Sequence, residues 1–154
     1  MRIETTRFGT IEVNPEEIIT FPEGLLGFEE YHHYVILHQP EGIFSFMQSV
    51  DEPWLCFVVI MPEFLRADYS VTLEPEQVQE LELESAEDSQ VFAIVTIPED
   101  ITEMTANLQA PLVINCKRRL AKQIVLMDGM YKIRHNVLAE MQRNAFLAAK
   151  AAAE

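Results

Sequence analysis

Short apolar or alternating runs, each cut off by proline, glycine, asparagine or aspartate, recur as far as His135 and favour a mainly β fold. "FGTIEV" (8–13) alternates, and "IITF" (18–21) follows the break at Asn14 and Pro15. "YVILHQ" (34–39) and "IFSFMQS" (43–49) flank Pro40, Glu41 and Gly42, the residues of a hairpin turn. "WLCFVVI" (54–60) is apolar on both faces, as a central strand would be, and stops at Pro62. "DYSVTL" (68–73), "QVFAIVTI" (90–97), "PLVINC" (111–116), "KQIVLM" (122–127) and "YKIRH" (131–135) complete the series, with Asp128-Gly129 as a tight turn between the last two. Strands this short and evenly spaced predict a compact, antiparallel, β-barrel-like single domain over 1–135 rather than alternating βαβ units.

Two segments carry helical signals. "PEQVQELE" opens with Pro75, which a first helical turn tolerates, and predicts a short helix fading into extended chain. Residues 136–154, "NVLAEMQRNAFLAAKAAAE", predict a C-terminal alanine-rich helix capped by Asn136, with Leu138, Met141, Ala145 and Ala148 on one face.

At 154 residues and 49% hydrophobic, the chain is large enough to bury a core of its own. It has no uninterrupted apolar run long enough to cross a bilayer, and "MRIETTRFGTIEV" lacks the apolar stretch of a secretory signal. No membrane insertion and a cytoplasmic location are therefore expected. Cys56 and Cys116 match no zinc or redox spacing and read as buried free thiols.

Charge narrows the range of partners. The net charge is -14, and residues 1–116 hold 3 Lys and Arg against 22 Asp and Glu, whereas residues 117–154 hold 8 against 3. Phosphates must be neutralised by Lys and Arg, so direct nucleic-acid binding is not expected. The same field attracts a cationic partner, although acidity also serves solubility.

Catalytic signatures are missing. His32 and His33 are adjacent and would point to opposite faces of a strand, and His38 brings no H-E-x-x-H or C-x-x-C with it. No serine stands in a G-x-S-x-G elbow, and there is no phosphate-cradling glycine loop. A small hydrolase or lyase around His32, His33, Glu29 and Glu30 is one rival reading, and a purely structural or chaperone module that shields an apolar partner is another. Absence of a motif argues against the enzyme, and no catalytic residue, metal or cofactor is expected.

Four stretches are more specific. "FPEGLLGFEEYHHY" (21–34), "FSFMQSVDEPWLCFVVIMPEFLRADY" (44–69), "AEDSQVFAIVTIPE" (86–99) and "NLQAPLVINCKRRLAKQIVL" (107–126), in this order and at these distances, resemble the flagellar assembly factor FliW family. The resemblance runs from about Ile3 to Arg134. It implies a non-enzymatic cytoplasmic regulator with a β-barrel-like fold. Such proteins bind flagellin and, when flagellin is depleted, bind the translational repressor CsrA. CsrA is antagonised non-competitively, at a surface outside its RNA-contacting one, so that repression of flagellin synthesis is relieved. Flagellin's terminal segments are helical and amphipathic in this family picture, so an apolar groove with an acidic rim is the expected receptor.

Site residues follow with their alternatives. Gly24 and Gly27 suggest a turn needing positive φ or close approach, with Phe21, Leu25 and Phe28 pinned inward. Leu25, Leu26 and Phe28 could instead belong to a partner groove. In "QSVDEPW", Asp51 is expected to bond its own backbone, Pro53 to fix φ and Trp54 to anchor the next strand. In "NLQAPLVIN", Asn107 and Asn115 bracket the strand that begins at Pro111 and could satisfy loop backbone. Glu80, Glu82, Glu84, Glu87 and Asp88 form the densest acidic cluster without a counter-ion nearby in sequence and are candidate CsrA contacts.

Overall fold

The alternating runs pair into ladders in a computed structural model that describes residues 1–153. Strands β1 (Arg2–Thr5) and β2 (Gly9–Glu12) form a separate hairpin. The body comprises β3 (Ile19–Thr20), β4 (His33–His38), β5 (Phe44–Ser49), β6 (Cys56–Ile60), β7 (Ser89–Thr96), β8 (Thr105–Ala106), β9 (Leu112–Asn115), β10 (Leu120–Gln123) and β11 (His135–Asn136). Helices α1 (Pro75–Glu80) and α2 (Val137–Ala153) complete it.

Strands β7, β6, β5, β4, β3, β10 and β9 neighbour one another in that order, and β9 pairs back onto β7. The sheet thus closes into a seven-stranded barrel, which removes exposed sheet edges over most of its length. β8 pairs with the end of β7, and β11 with β8. Every pairing is antiparallel except one: β10 meets β3 in parallel through a single bridge, Leu120 with Thr20. That seam is the shortest pairing in the wall, with Thr20 N–H donating to Arg119 O at 2.9 Å beside the single bridge.

The barrel interior follows from the inward positions of each strand. Ile19, Phe21, Tyr34, Met47, Val59 and Phe92 are buried in one cluster, where Phe21 meets Tyr34 edge to face at 5.4 Å. Burial pushes the Tyr34 phenol up to about 12. A second cluster, containing Ile60, Leu65, Leu81, Val95, Leu108 and Val137, joins the barrel to α1 and the start of α2.

Several expectations need correction. The 68–73 segment is extended but makes no ladder; it packs Tyr69, Val71 and Leu73 on the second cluster instead. Residues 131–135 are not a strand either, because only His135 and Asn136 pair, so Asp128-Gly129 turns within a loop rather than a hairpin. Cys116 is exposed at the end of β9, not buried. α1 does not fade into extended chain: it closes in a turn in which Leu83 N–H donates to Val78 O at 3.1 Å and Glu82 takes φ +53, and a 3-10 turn follows at Ala86–Asp88.

Asn136 caps α2 by accepting from the Ala139 N–H at 2.9 Å. The docked face of α2, however, is Val137, Glu140, Met141 and Asn144, whereas Leu138, Ala145 and Ala148 are exposed. Polar groups explain the difference. Glu140 takes hydrogen bonds from both Arg66 Nε and Nη2, the latter at 3.1 Å, and faces His135 Nδ1 at 3.5 Å. Asn144 accepts from the Ala67 N–H at 3.2 Å and donates to the carbonyls of Glu63 and Phe64.

The Arg66 hydrogen bonds hold the Glu140 carboxyl below its usual range. A depressed native value contributes stability above the unfolded carboxylate pKa, about 4.3, and loses it as pH falls through the native value. Glu140→Gln should therefore melt below wild type at neutral pH, with the gap closing as acid protonates the native carboxyl. Melting curves across that range check this; a gap that is constant with pH would contradict it.

Candidate protein-binding site

The "GLLG" turn is built from backbone geometry. Phe28 N–H donates to Leu25 O at 2.8 Å, and the Leu26 N–H between them donates to Gln123 Oε1 at 2.9 Å, tying the turn to β10. Gly24 has φ +68, and a Cβ there would lie 2.6 Å from Glu29 Cα and O. Gly27 has φ +86 but open space around it. Leu25 is buried at 1% exposure, so it belongs to the core and not to a partner groove. Phe28 is half-buried against Phe57, and Leu26 alone of the three is open, at 62%.

The "QSVDEPW" turn is held differently from expectation. Ser49 Oγ, not Asp51, accepts the turn's N–H groups, from Asp51 at 3.2 Å and Glu52 at 2.9 Å. Asp51 instead meets His33 Nδ1 at 3.0 Å. Pro53 O accepts the Thr6 N–H at 2.9 Å, fastening the β1–β2 hairpin. Trp54 precedes β6 and is 56% exposed, its ring edge-on to Tyr31; Leu55 is the buried anchor. Gln48 is a further structural residue with no sequence signal beyond its polarity. It is fully buried, and its Nε2 donates to the carbonyls of Ser49, Pro53 and Leu55 at 3.1–3.2 Å.

Asn107 Oδ1 accepts from the N–H groups of Gln109 and Ala110, and Pro111 O accepts from Ile124. Asn115, 1% exposed, uses both ends of its amide. Oδ1 accepts from Lys117 and Arg118 N–H, and Nδ2 donates to Leu81 O and Glu82 O at 2.8 and 3.1 Å.

The acidic cluster has counter-ions that the linear sequence conceals. Lys122 Nζ lies 2.6 Å from Glu80 and 3.0 Å from Glu23, Lys117 lies 3.5 Å from Asp88, and Arg118 lies 3.9 Å from Glu84. The turn between β9 and β10 presents Lys117 and Arg118 to the cluster, and β10 itself presents Lys122. Only Glu82 and Glu87 of the five stand outside an ion pair among the described residues.

The rival catalytic constellation does not converge. His32 Nδ1 bonds Phe21 O, His33 pairs with Asp51, and Glu29 accepts the Gly27 N–H. No group of three or more metal-ligating side chains forms among the described residues. No helix among the described residues is long and apolar enough to cross a membrane.

A different surface draws notice. A cleft of about 440 Å³ lies between the 68–74 segment and residues 124–131. Asp68, Ser70, Thr72 and Glu74 form one wall, and Ile124 to Asp128 with Met130 and Tyr131 form the other. Val125 is half-exposed, while Met127 and Met130 are 87% and 67% exposed. Asp68, Glu74 and Asp128 make no ion pair among the described residues. Exposed methionines beside carboxylates that make no salt bridge form an adaptable apolar surface with an acidic rim. Sequence reading missed it, since nothing in "VLMDGMYKI" separates an exposed methionine from a core one.

Comparison with known proteins identifies the family. The family described as FliW protein matches residues 2–137. The flagellar assembly factor FliW of Alkaliphilus metalliredigens is 42% identical over 145 residues, covering 93% of this chain and 90% of the relative. That of Treponema denticola is 43% identical over 141 residues, covering 92% and 96%. A crystal structure of the flagellar assembly factor FliW superposes with a TM-score of 0.83 at 36% identity, covering 89% of this chain and 96% of that one. The chain belongs to the FliW family of flagellar assembly factors.

Proposed function

We propose that this flagellar assembly factor works in the cytoplasm as a protein-binding regulator. It binds flagellin and, when flagellin is depleted, binds the translational repressor CsrA and antagonises it non-competitively, relieving repression of flagellin synthesis. The observation that carries the reading is the open methionine-bearing surface with its acidic rim. Apolar burial there suits an unfolded segment of a protein partner such as flagellin, while the wider acidic field suits a basic RNA-binding protein. That field repels phosphate within a screening length of about 8–10 Å, so the chain is suited to displace RNA indirectly rather than to imitate it.

Capture from a lysate of a flagellated bacterium, probed for flagellin and CsrA separately, tests the reading. Both proteins should be retained; retention of neither contradicts it, and retention of flagellin alone reduces the chain to a chaperone. Within the acidic cluster, Glu82 and Glu87 are the residues whose reversal costs no existing ion pair. The double variant Glu82→Lys, Glu87→Lys should associate more slowly with CsrA, with the difference from wild type narrowing as salt rises. Flagellin affinity should stay unchanged. Equal CsrA association rates at low salt would remove the cluster from the mechanism.

A further inference from the structure

We propose that the cleft beside residues 124–127 receives an extended, basic segment of a protein partner as an added β-strand. This rests on the reading of the methionine surface as a partner site and specifies how that site recognises its ligand.

The free edge follows from the hydrogen-bond ladder. Past the end of β10 the chain stays paired to the 109–111 segment, with Ile124 N–H donating to Pro111 O at 2.9 Å and Leu126 N–H to Gln109 O at 2.7 Å. Successive residues of an extended strand send their backbone groups to alternate edges. Val125 and Met127 therefore direct N–H and C=O to the opposite edge, where no protein group bonds them among the described residues. β3 covers that edge only at Leu120. An unpaired run of donors and acceptors is a template for another strand.

The cleft runs along this edge. Consecutive residues from Ile124 to Asp128 line it, as they do where a cavity follows a strand's edge rather than one of its faces. Alternate residues Asp68, Ser70, Thr72 and Glu74 form the far wall, where hydroxyls and carboxylates can take hydrogen bonds from the incoming segment. An α-helix bonds its backbone internally and would leave the edge of Val125 and Met127 unsatisfied.

Charge and side chains set the class of segment. No Lys or Arg among the described residues lines the cleft, and Asp68, Glu74 and Asp128 make no salt bridge there; Arg66 is near enough to feel Asp68 but is engaged by Glu140, so Lys or Arg is favoured and acidic side chains are repelled. Val125, Met127 and Met130 offer apolar contact to alternate side chains of the segment.

The test uses the full chain and capped octapeptides of alternating valine and lysine, followed by nuclear magnetic resonance and amide exchange. The peptide should bind and slow exchange of the Val125 and Met127 amides by about tenfold or more at saturation. N-methylation of alternate peptide nitrogens, which leaves the side chains intact, should weaken binding by about tenfold or more. Val125→Pro removes a donor that has no native partner and should weaken binding similarly, while Val125→Thr, which keeps it, should not. Absence of binding at millimolar peptide or undiminished affinity after N-methylation overturns strand addition, and equal affinity for a capped octapeptide of alternating valine and glutamate overturns the preference for a basic segment. None of those results bears on whether flagellin and CsrA are captured, so the two readings fail separately.

Discussion

Replacing Gly24 with alanine should destabilise the protein by about 3 kcal/mol, lowering Tm by roughly 6–12 °C. Two costs add at this position. A left-handed backbone at φ +68 costs a residue with a Cβ about 1–2 kcal/mol. The new methyl would also sit 2.6 Å from Glu29 Cα and O, and backbone cannot yield as a side-chain tip does. Displacing Glu29 strains the turn that keeps Phe21 and Leu25 buried, an overpacking cost of about 1–3 kcal/mol. Gly27→Ala is the internal control. Its φ of +86 carries the conformational cost, but nothing lies within 4 Å of the added atom, so about 1 kcal/mol is expected. Paired thermal melts of the two variants check the difference. Equal losses would mean that the close approach of Glu29 to Gly24 does not exist in solution.

Asn115→Ala should cost about 2–3 kcal/mol. Lys117 and Arg118 N–H are at an exposed turn, where water replaces the lost acceptor cheaply. The carbonyl of Leu81 is a different matter. Leu81 is 1% exposed, and its carbonyl and that of Glu82 take the amide's two N–H donations. Glu82 is held at φ +53 beside that contact, so the chain that leaves α1 should loosen first. Asn115→Asp should recover little, because a carboxylate can serve the turn but cannot donate to two carbonyls. Denaturant melts give the magnitude, and faster amide exchange at residues 81–84 than in β5 locates it. A full recovery by aspartate would show that the turn, not α1, is what Asn115 holds.

The features legible in the sequence are those governed by neighbours along the chain. Pro40–Gly42 marks the β4–β5 hairpin, Asn136 marks the start of α2, and the two glycines of "GLLG" mark positive φ. Features that depend on distant partners are not legible in the local pattern. Val71 and Leu73 alternate with polar residues as a strand does, but a ladder needs a neighbour, and the 68–73 segment packs on the core without one. Hydrophobic spacing points to one face of α2, yet Glu140 and Asn144 dock it through Arg66 and the Glu63–Ala67 turn. Glu80 looked unpaired because Lys122 is 42 positions away. The cleft was invisible for the same reason, since its two walls meet only through the fold.

These placements bear on regulation. The acidic surface near β9 and β10 is partly neutralised from within, whereas the carboxylates around the methionine cleft make no salt bridge. The proposed exchange of partners therefore draws on two acidic surfaces, both salt-sensitive, of which the cleft adds apolar burial to its charge. The most direct test is a titration of the purified chain into a preformed complex of CsrA with flagellin messenger RNA, followed by RNA mobility. Rising amounts of the chain should release RNA from CsrA without the chain itself binding RNA, and added flagellin should restore the CsrA–RNA complex. An unchanged CsrA–RNA complex at saturating chain, or release that flagellin does not reverse, would contradict the account.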